Sequence, residues 1–138
     1  MSDIQRLIDN TFPFVQDLLS KYGEFFPLAS AVKTNDSITQ IGIYDGDEHP
    51  RSDKVIADLK RGLKAKQADY KCVAIFYDVK VSAPTTKLKT DAVAVFVETQ
   101  SEKTGYIIYF PYLLTSDKKV KLTDGVWKEA NDKEIFIE

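Results

Sequence analysis

Lys71-Cys72-Val73-Ala74-Ile75-Phe76-Tyr77-Asp78-Val79-Lys80-Val81 is where the chain changes from helical spacing to a period of two, and this change decides the fold. Val73, Ile75, Tyr77, Val79 and Val81 share one face of an extended strand, and Cys72, Ala74 and Phe76 share the other. Both faces are apolar at first, the mark of a strand covered on two sides. Ala92-Val93-Ala94-Val95-Phe96-Val97 has the same character, so two central strands are predicted, joined by a hairpin loop at 83–89 containing Pro84. An aromatic strand at 106–113 should follow, with Tyr106, Ile108, Phe110 and Tyr112 on one face and Ile107, Tyr109 and Leu113 on the other. Pro111 points to an edge or a bulge there.

Toward the N-terminus, Ser2 with Gln5 forms a capping-box pattern. Ile4, Leu7, Ile8, Val15, Leu18, Leu19 and Tyr22 then recur at helical spacing as far as Gly23. Pro13 predicts a kink near Thr11 in one helix, two short helices being the alternative. Phe25 to Val32 reads as a strand whose early part Pro27 holds to an edge or a start. A Thr34-Asn35-Asp36-Ser37 turn leads to a paired second strand carrying Ile41 and Ile43. Ser52 is expected to cap a second helix with Val55, Ile56, Leu59 and Leu63 inward, and Gly62 on the same stripe would allow close packing on a sheet. Val120-Lys121-Leu122 fits a last short strand. The Trp127 region and Ile135-Phe136-Ile137 fit a helix fragment, an edge strand or a docked tail equally well.

The order α-β-β-α-β-β-β predicts a single α+β domain over residues 1–138, an antiparallel sheet of five or six strands with two main helices packed on it. The expected core contains Leu7, Ile8, Leu18, Ile41, Leu59, Leu63, Val73, Ile75, Val93, Val95 and Ile108. This element order is similar to profilin-like, roadblock and longin architectures, and PAS-like sheets also accommodate it. Consecutive hairpins would need no crossover.

Of the 138 residues, 43% are apolar and 29% charged, with 19 basic against 21 acidic side chains and a net charge of -2. That balance lacks the basic excess with which proteins grip nucleic acid. The single cysteine, Cys72, and single histidine, His49, exclude an internal disulfide and a structural zinc site of Cys and His ligands. An acid at Asp3 and no long apolar run near the start argue against a signal peptide, and no stretch reads as a membrane span. A cytoplasmic protein is expected.

Asp45, Asp47, Glu48 and His49 form the densest group of candidate ligands, and hard cations favour such oxygen donors. The loop lacks the alternating acids and the terminal glutamate of a helix-loop-helix calcium site, and its acids equally suit the N-terminal end of the following helix. Asp78 and Asp91 fall on neighbouring strands and could share a proton if they face each other. Alternatively, Lys80 and Lys89 make them a salt-bridged surface ladder. Cys72 begins an apolar run, where a thiol is buried and inert. Lys54, Lys60, Arg61, Lys64 and Lys66 read as a solvated helix face. No Gly-x-Ser-x-Gly elbow, phosphate-binding loop or dinucleotide-binding turn is present.

Phe26-Pro27-Leu28-Ala29, Ile43-Tyr44-Asp45-Gly46-Asp47-Glu48-His49-Pro50, Ala74-Ile75-Phe76-Tyr77-Asp78-Val79 and Phe110-Pro111-Tyr112 together resemble a group of small bacterial proteins of unknown function, over residues 25–113. The resemblance implies a bacterial cytoplasmic protein and carries no catalytic residue. The expected function is a non-catalytic protein-binding or regulatory module, as toxin-immunity proteins are, with no cofactor. The alternative is a metal-dependent hydrolase in which the 45–49 loop, with Asp78 or Asp91, activates water. Two helices on one face of the sheet would leave the other open. A homodimer over the strand at 106–112 or the edge with Phe25 and Phe26 is therefore expected unless the C-terminal segment folds back as a cover.

Overall fold

Ser2 starts the first helix, its hydroxyl accepting from the Gln5 amide at 3.1 Å, and Gly23 ends it with φ 74° and its N–H on the Leu19 carbonyl. The Gln5 side chain bonds Asp9, not the Ser2 backbone, so only half of the expected capping box forms. This computed structural model describes residues 2–42, 52–123 and 125–138. Helix α1 runs unbroken over Asp3–Tyr22 with Pro13 inside it, so the one-helix reading holds.

Strands β1 (Leu28–Lys33) and β2 (Ile38–Ile41) form a hairpin, and β1 opens directly after Pro27. Ile43 and Tyr44, expected to extend β2, lie outside the described residues. Helix α2 (Ser52–Ala65) leads through a short 3-10 turn at Gln67–Asp69 into β3 (Tyr70–Ser82), then β4 (Lys89–Thr99) and β5 (Gly105–Leu114). Two further strands, β6 (Val120–Leu122) and β7 (Trp127–Asn131), both pair with the outer side of β5. The sheet is antiparallel, with lateral order β2-β1-β3-β4-β5 and β6 and β7 sharing the last lane. Because β3 lies beside β1 on the side away from β2, the α2 connection crosses over β1, while the consecutive hairpins β1–β2 and β3–β4–β5 need no crossover.

That crossover puts the helices on opposite faces. Leu7, Phe12, Val15 and Leu19 of α1 pack with Cys72, Ala74, Phe76, Val93, Val95 and Val97, while Val55, Leu59 and Leu63 of α2 pack with Ala29, Ala31, Val73, Ile75 and Phe96. Period two sends alternate residues of β3 to different helices, which is why both its faces are apolar. Most of the expected core is buried; Leu18, Ile41 and Ile108 are half-buried residues packed against it. Between α1 and β1, Thr11 donates to the Ser30 hydroxyl at 3.0 Å, so two buried polar groups satisfy each other.

Pro111 is neither at an edge nor at the end of pairing. It faces Ala92 across β4, and its carbonyl accepts from the Thr123 amide at 3.0 Å. A residue's N and C=O lie on the same side of a strand, so the missing N–H faces the break between β6 and β7 and costs no bond to β4.

Helix α2 cannot shield the second face alone. The C-terminal segment supplies the rest, with Ile135 fully buried beside Phe96 and the α2 side chains. Glu98 of β4 holds it. This carboxylate is 1% exposed and accepts from the backbone amides of Glu134, Ile135 and Phe136 at 2.6, 3.1 and 3.1 Å. Lys133 donates to the carbonyls of Thr99 and Glu102, and Lys60 pairs with Glu134 at 3.0 Å. Gly105 makes room: a Cβ there would stand 2.9 Å from the Glu98 Cγ. The docked-tail reading thus holds for 132–138 and the edge-strand reading for Trp127–Asn131, whose Trp127 ring stacks on Tyr109 at 4.9 Å.

Gly62 differs from expectation, since a Cβ at this position meets nothing within 4 Å. Gly62→Ala is therefore expected to stabilise the protein by roughly 0.5–1 kcal/mol, through helix propensity alone. Glu98→Ala, which strips three tail amides of their acceptor, should cost roughly 2–4 kcal/mol, and Glu98→Gln, which keeps one acceptor oxygen, less. Urea unfolding measures all three.

Candidate functional site

At the β1–β2 turn, Asp36 (φ 75°) accepts from Arg6 at 2.9 Å and Lys71 at 2.8 Å, tying the turn to α1 and β3. The Lys71 and Arg6 hydrogen bonds hold the Asp36 carboxyl below its usual range. At the opposite end, where β3 turns into β4, three carboxylates gather without such partners. Glu24, Asp78 and Asp91 form no ion pair with any Lys or Arg among the described residues.

Asp78 and Asp91 do not face each other. Asp78 stands opposite Val93, and Asp91 opposite Lys80 and Tyr112, which offsets the two acids by one same-face position. Of the expected ladder only the register is present, Lys80 standing opposite Asp91, and among the described residues no ion pair joins Lys80 or Lys89 to either acid. Tyr112, 2% exposed, instead donates its hydroxyl to Asp78 at 2.7 Å. Burial pushes the Asp78 carboxyl up; the Tyr112 bond opposes that, and the charges of Asp91 and Glu24 add to it. Burial and the Asp78 carboxylate likewise raise the Tyr112 phenol.

Beside this group, on the α1 face, opens a cavity of about 360 Å³. Phe14, Leu18 and Tyr22 wall it from α1; Glu24, Phe25 and Leu28 close it from the chain leading into β1. Leu28 pairs with Phe76, so Asp78 follows two residues further along the same face of β3. Phe14 is 43% and Tyr22 71% exposed, unusual for large apolar side chains this close together. A second cavity of about 340 Å³, reaching Leu114, Thr115 and Lys118, lies on the other side of Tyr22.

Sequence reasoning named Leu18 and Tyr22 as one stripe with the core and passed over Phe14. The signal was present, since Phe14, Leu18 and Tyr22 recur every four residues as a second stripe beside the buried one. The favoured candidates, Asp45, Asp47, Glu48 and His49, lie outside the described residues. Among the described residues, no three His, Cys, Asp or Glu side chains are grouped to hold a metal ion, and no helix is long and apolar enough to cross a membrane. Cys72 is fully buried with its thiol pushed up to about 11, chiefly by burial, and the Thr99 hydroxyl lies 3.7 Å from its sulfur. The basic face of α2 is partly committed within the chain: Arg61 pairs with Asp58 at 2.8 Å, and Lys60 lies 4.7 Å over the Phe96 ring.

No protein-family model, curated protein or solved structure matches the chain. The site must be read from its own chemistry.

The raised Asp78 carboxyl fixes a sign. Native protein holds this proton more tightly than unfolded chain does, so stability falls as pH rises from the ordinary carboxylate value of 3.8 through the raised native one. Asp78→Asn keeps an acceptor for Tyr112 and removes the charge. Its melting temperature should exceed that of the native protein at neutral pH, with the difference vanishing below the ordinary carboxylate value. A variant less stable at neutral pH would show that Tyr112 needs the carboxylate.

Proposed function

We propose that the protein is a non-catalytic binding or regulatory module of a bacterial cytoplasm, of the kind toxin-immunity proteins exemplify, and that it docks a protein partner at the C-terminal end of α1. The observation that carries this reading is the pair of half-open aromatic side chains, Phe14 and Tyr22, standing over a preformed apolar cavity. Protein interfaces are enriched in such aromatics, and their energy concentrates where a large side chain meets a pocket. Both sheet faces are already covered from within, by α1 on one side and by α2 with Ile135 on the other. Among the described residues much of the open apolar surface lies at one pole, where Leu113, Leu114 and Leu122 are also exposed.

A homodimer over the strand at 106–112 or the Phe25 and Phe26 edge is the competing use of this surface. Its original ground, an uncovered face of the sheet, is met by the tail. Nothing among the described residues favours the metal-dependent hydrolase, which requires the 45–49 loop to meet Asp78 or Asp91.

Phe14→Gln combined with Tyr22→Gln tests the reading, since both positions are exposed and glutamine suits a helix. The variant should melt within a degree or two of the native protein, yet fail to retain a protein that the native chain captures from host lysate. Capture of the same proteins by both would overturn the reading. Light scattering at micromolar concentration decides the competing case: a mass near 15.6 kDa leaves the pole free for a different partner, and twice that mass assigns it to a second copy.

A further inference from the structure

Resting on that docking reading, we propose that the pole recognises an extended partner segment in which bulky apolar side chains are flanked by lysine or arginine. An apolar side chain would seat among Phe14, Leu18 and Tyr22, and the cation against Glu24 and Asp78. The shape argues for a chain segment over a compact small molecule. Tyr22 lines both cavities, so they adjoin, with Glu24 at the first, where the cation would sit, and Lys21 and Lys118 at the second.

The sign of the partner's charge follows from complementarity. Glu24 is on the cavity rim, and its charge reaches Asp78, which also feels Asp91. None of the three lies within ion-pair distance of a lysine or arginine among the described residues, Lys80 standing opposite Asp91 without such a pair, whereas Lys21, the other base of α1 besides Arg6, is paired with Asp17 at 3.1 Å. Next to burial, the charges of Asp91 and Glu24 weigh against an ionised Asp78, a cost in the free protein. A lysine or arginine brought in by the partner removes that cost as it binds; an acidic partner would add to it. At the other end of the sheet Asp36 is held by Arg6 and Lys71 of the same chain.

Three fluorescein-labelled nonapeptides of equal length test this: Phe and Leu among Lys and Arg, the same apolar residues among Glu, and the same bases around Ser. Fluorescence anisotropy reads affinity, and amide shifts in a ¹⁵N-labelled sample locate the contact. The basic apolar peptide should bind roughly tenfold or more tightly than either control, weaken with added salt, and shift the amides of Phe14, Tyr22 and Glu24. Glu24→Gln with Asp78→Asn should abolish its advantage over the acidic peptide. Equal binding of the acidic peptide, an advantage that survives the double variant, shifts elsewhere on the molecule, or no binding by any peptide would each overturn the proposal. Equal binding of both apolar peptides at the cavity, or partner capture from lysate that still depends on Phe14 and Tyr22, would leave the docking reading standing and remove only the charge assignment.

Discussion

A single carboxylate closes this fold. Glu98 sits near the end of a central strand, almost wholly out of water, and receives three consecutive amides of the C-terminal segment. A buried charge is tolerated only when fully hydrogen-bonded, and those amides supply the bonds while having no strand partner of their own. The arrangement is reciprocal: the segment needs an acceptor to bury Ile135, and Glu98 needs donors to stay inside. Through it the second face of the sheet gains the cover that one helix of 14 residues cannot give to six lanes of strand.

What the clamp leaves open follows from it. With both faces shielded inside one chain, exposed apolar surface gathers at the pole where α1 ends and β3 turns back into β4. The same pole holds Glu24, Asp78 and Asp91, which form no ion pair among the described residues, while at the opposite pole Asp36 lies between Arg6 and Lys71 and Asp69 and Glu102 form none. The place of the apolar cavity is thus set by the fold rather than by a motif.

The strands were readable from residue type because β3 and β4 alternate strictly and are apolar on both faces, which only a covered central strand allows. The helices were readable because Ser2 and Gly23 mark the ends of α1 and the apolar stripe persists through Pro13. Lateral placement was not readable: nothing local tells Lys71-Cys72-Val73 to pair with β1 across the side away from β2, and the helices' opposite faces follow from that choice. The C-terminal segment was opaque for a different reason. Ile135-Phe136-Ile137 has no periodicity, and the residue that fixes it lies 36 positions from its first bond in the sequence. Asp78 and Asp91 stood out in the sequence, but a register offset by one same-face position leaves Asp78 held by Tyr112 and not facing Asp91. The cavity was half-visible, since the spacing of Phe14, Leu18 and Tyr22 was available and merged too readily with the buried stripe beside it.

Native-state hydrogen exchange at the amides of Glu134, Ile135 and Phe136 tests most directly whether this segment is part of the core. If Glu98 closes the fold, these amides exchange only through global unfolding, with the same free energy as the buried amides of β4. Exchange at the rate of a free chain, while β4 stays protected, would mean that the segment opens independently and that the second face is not closed from within.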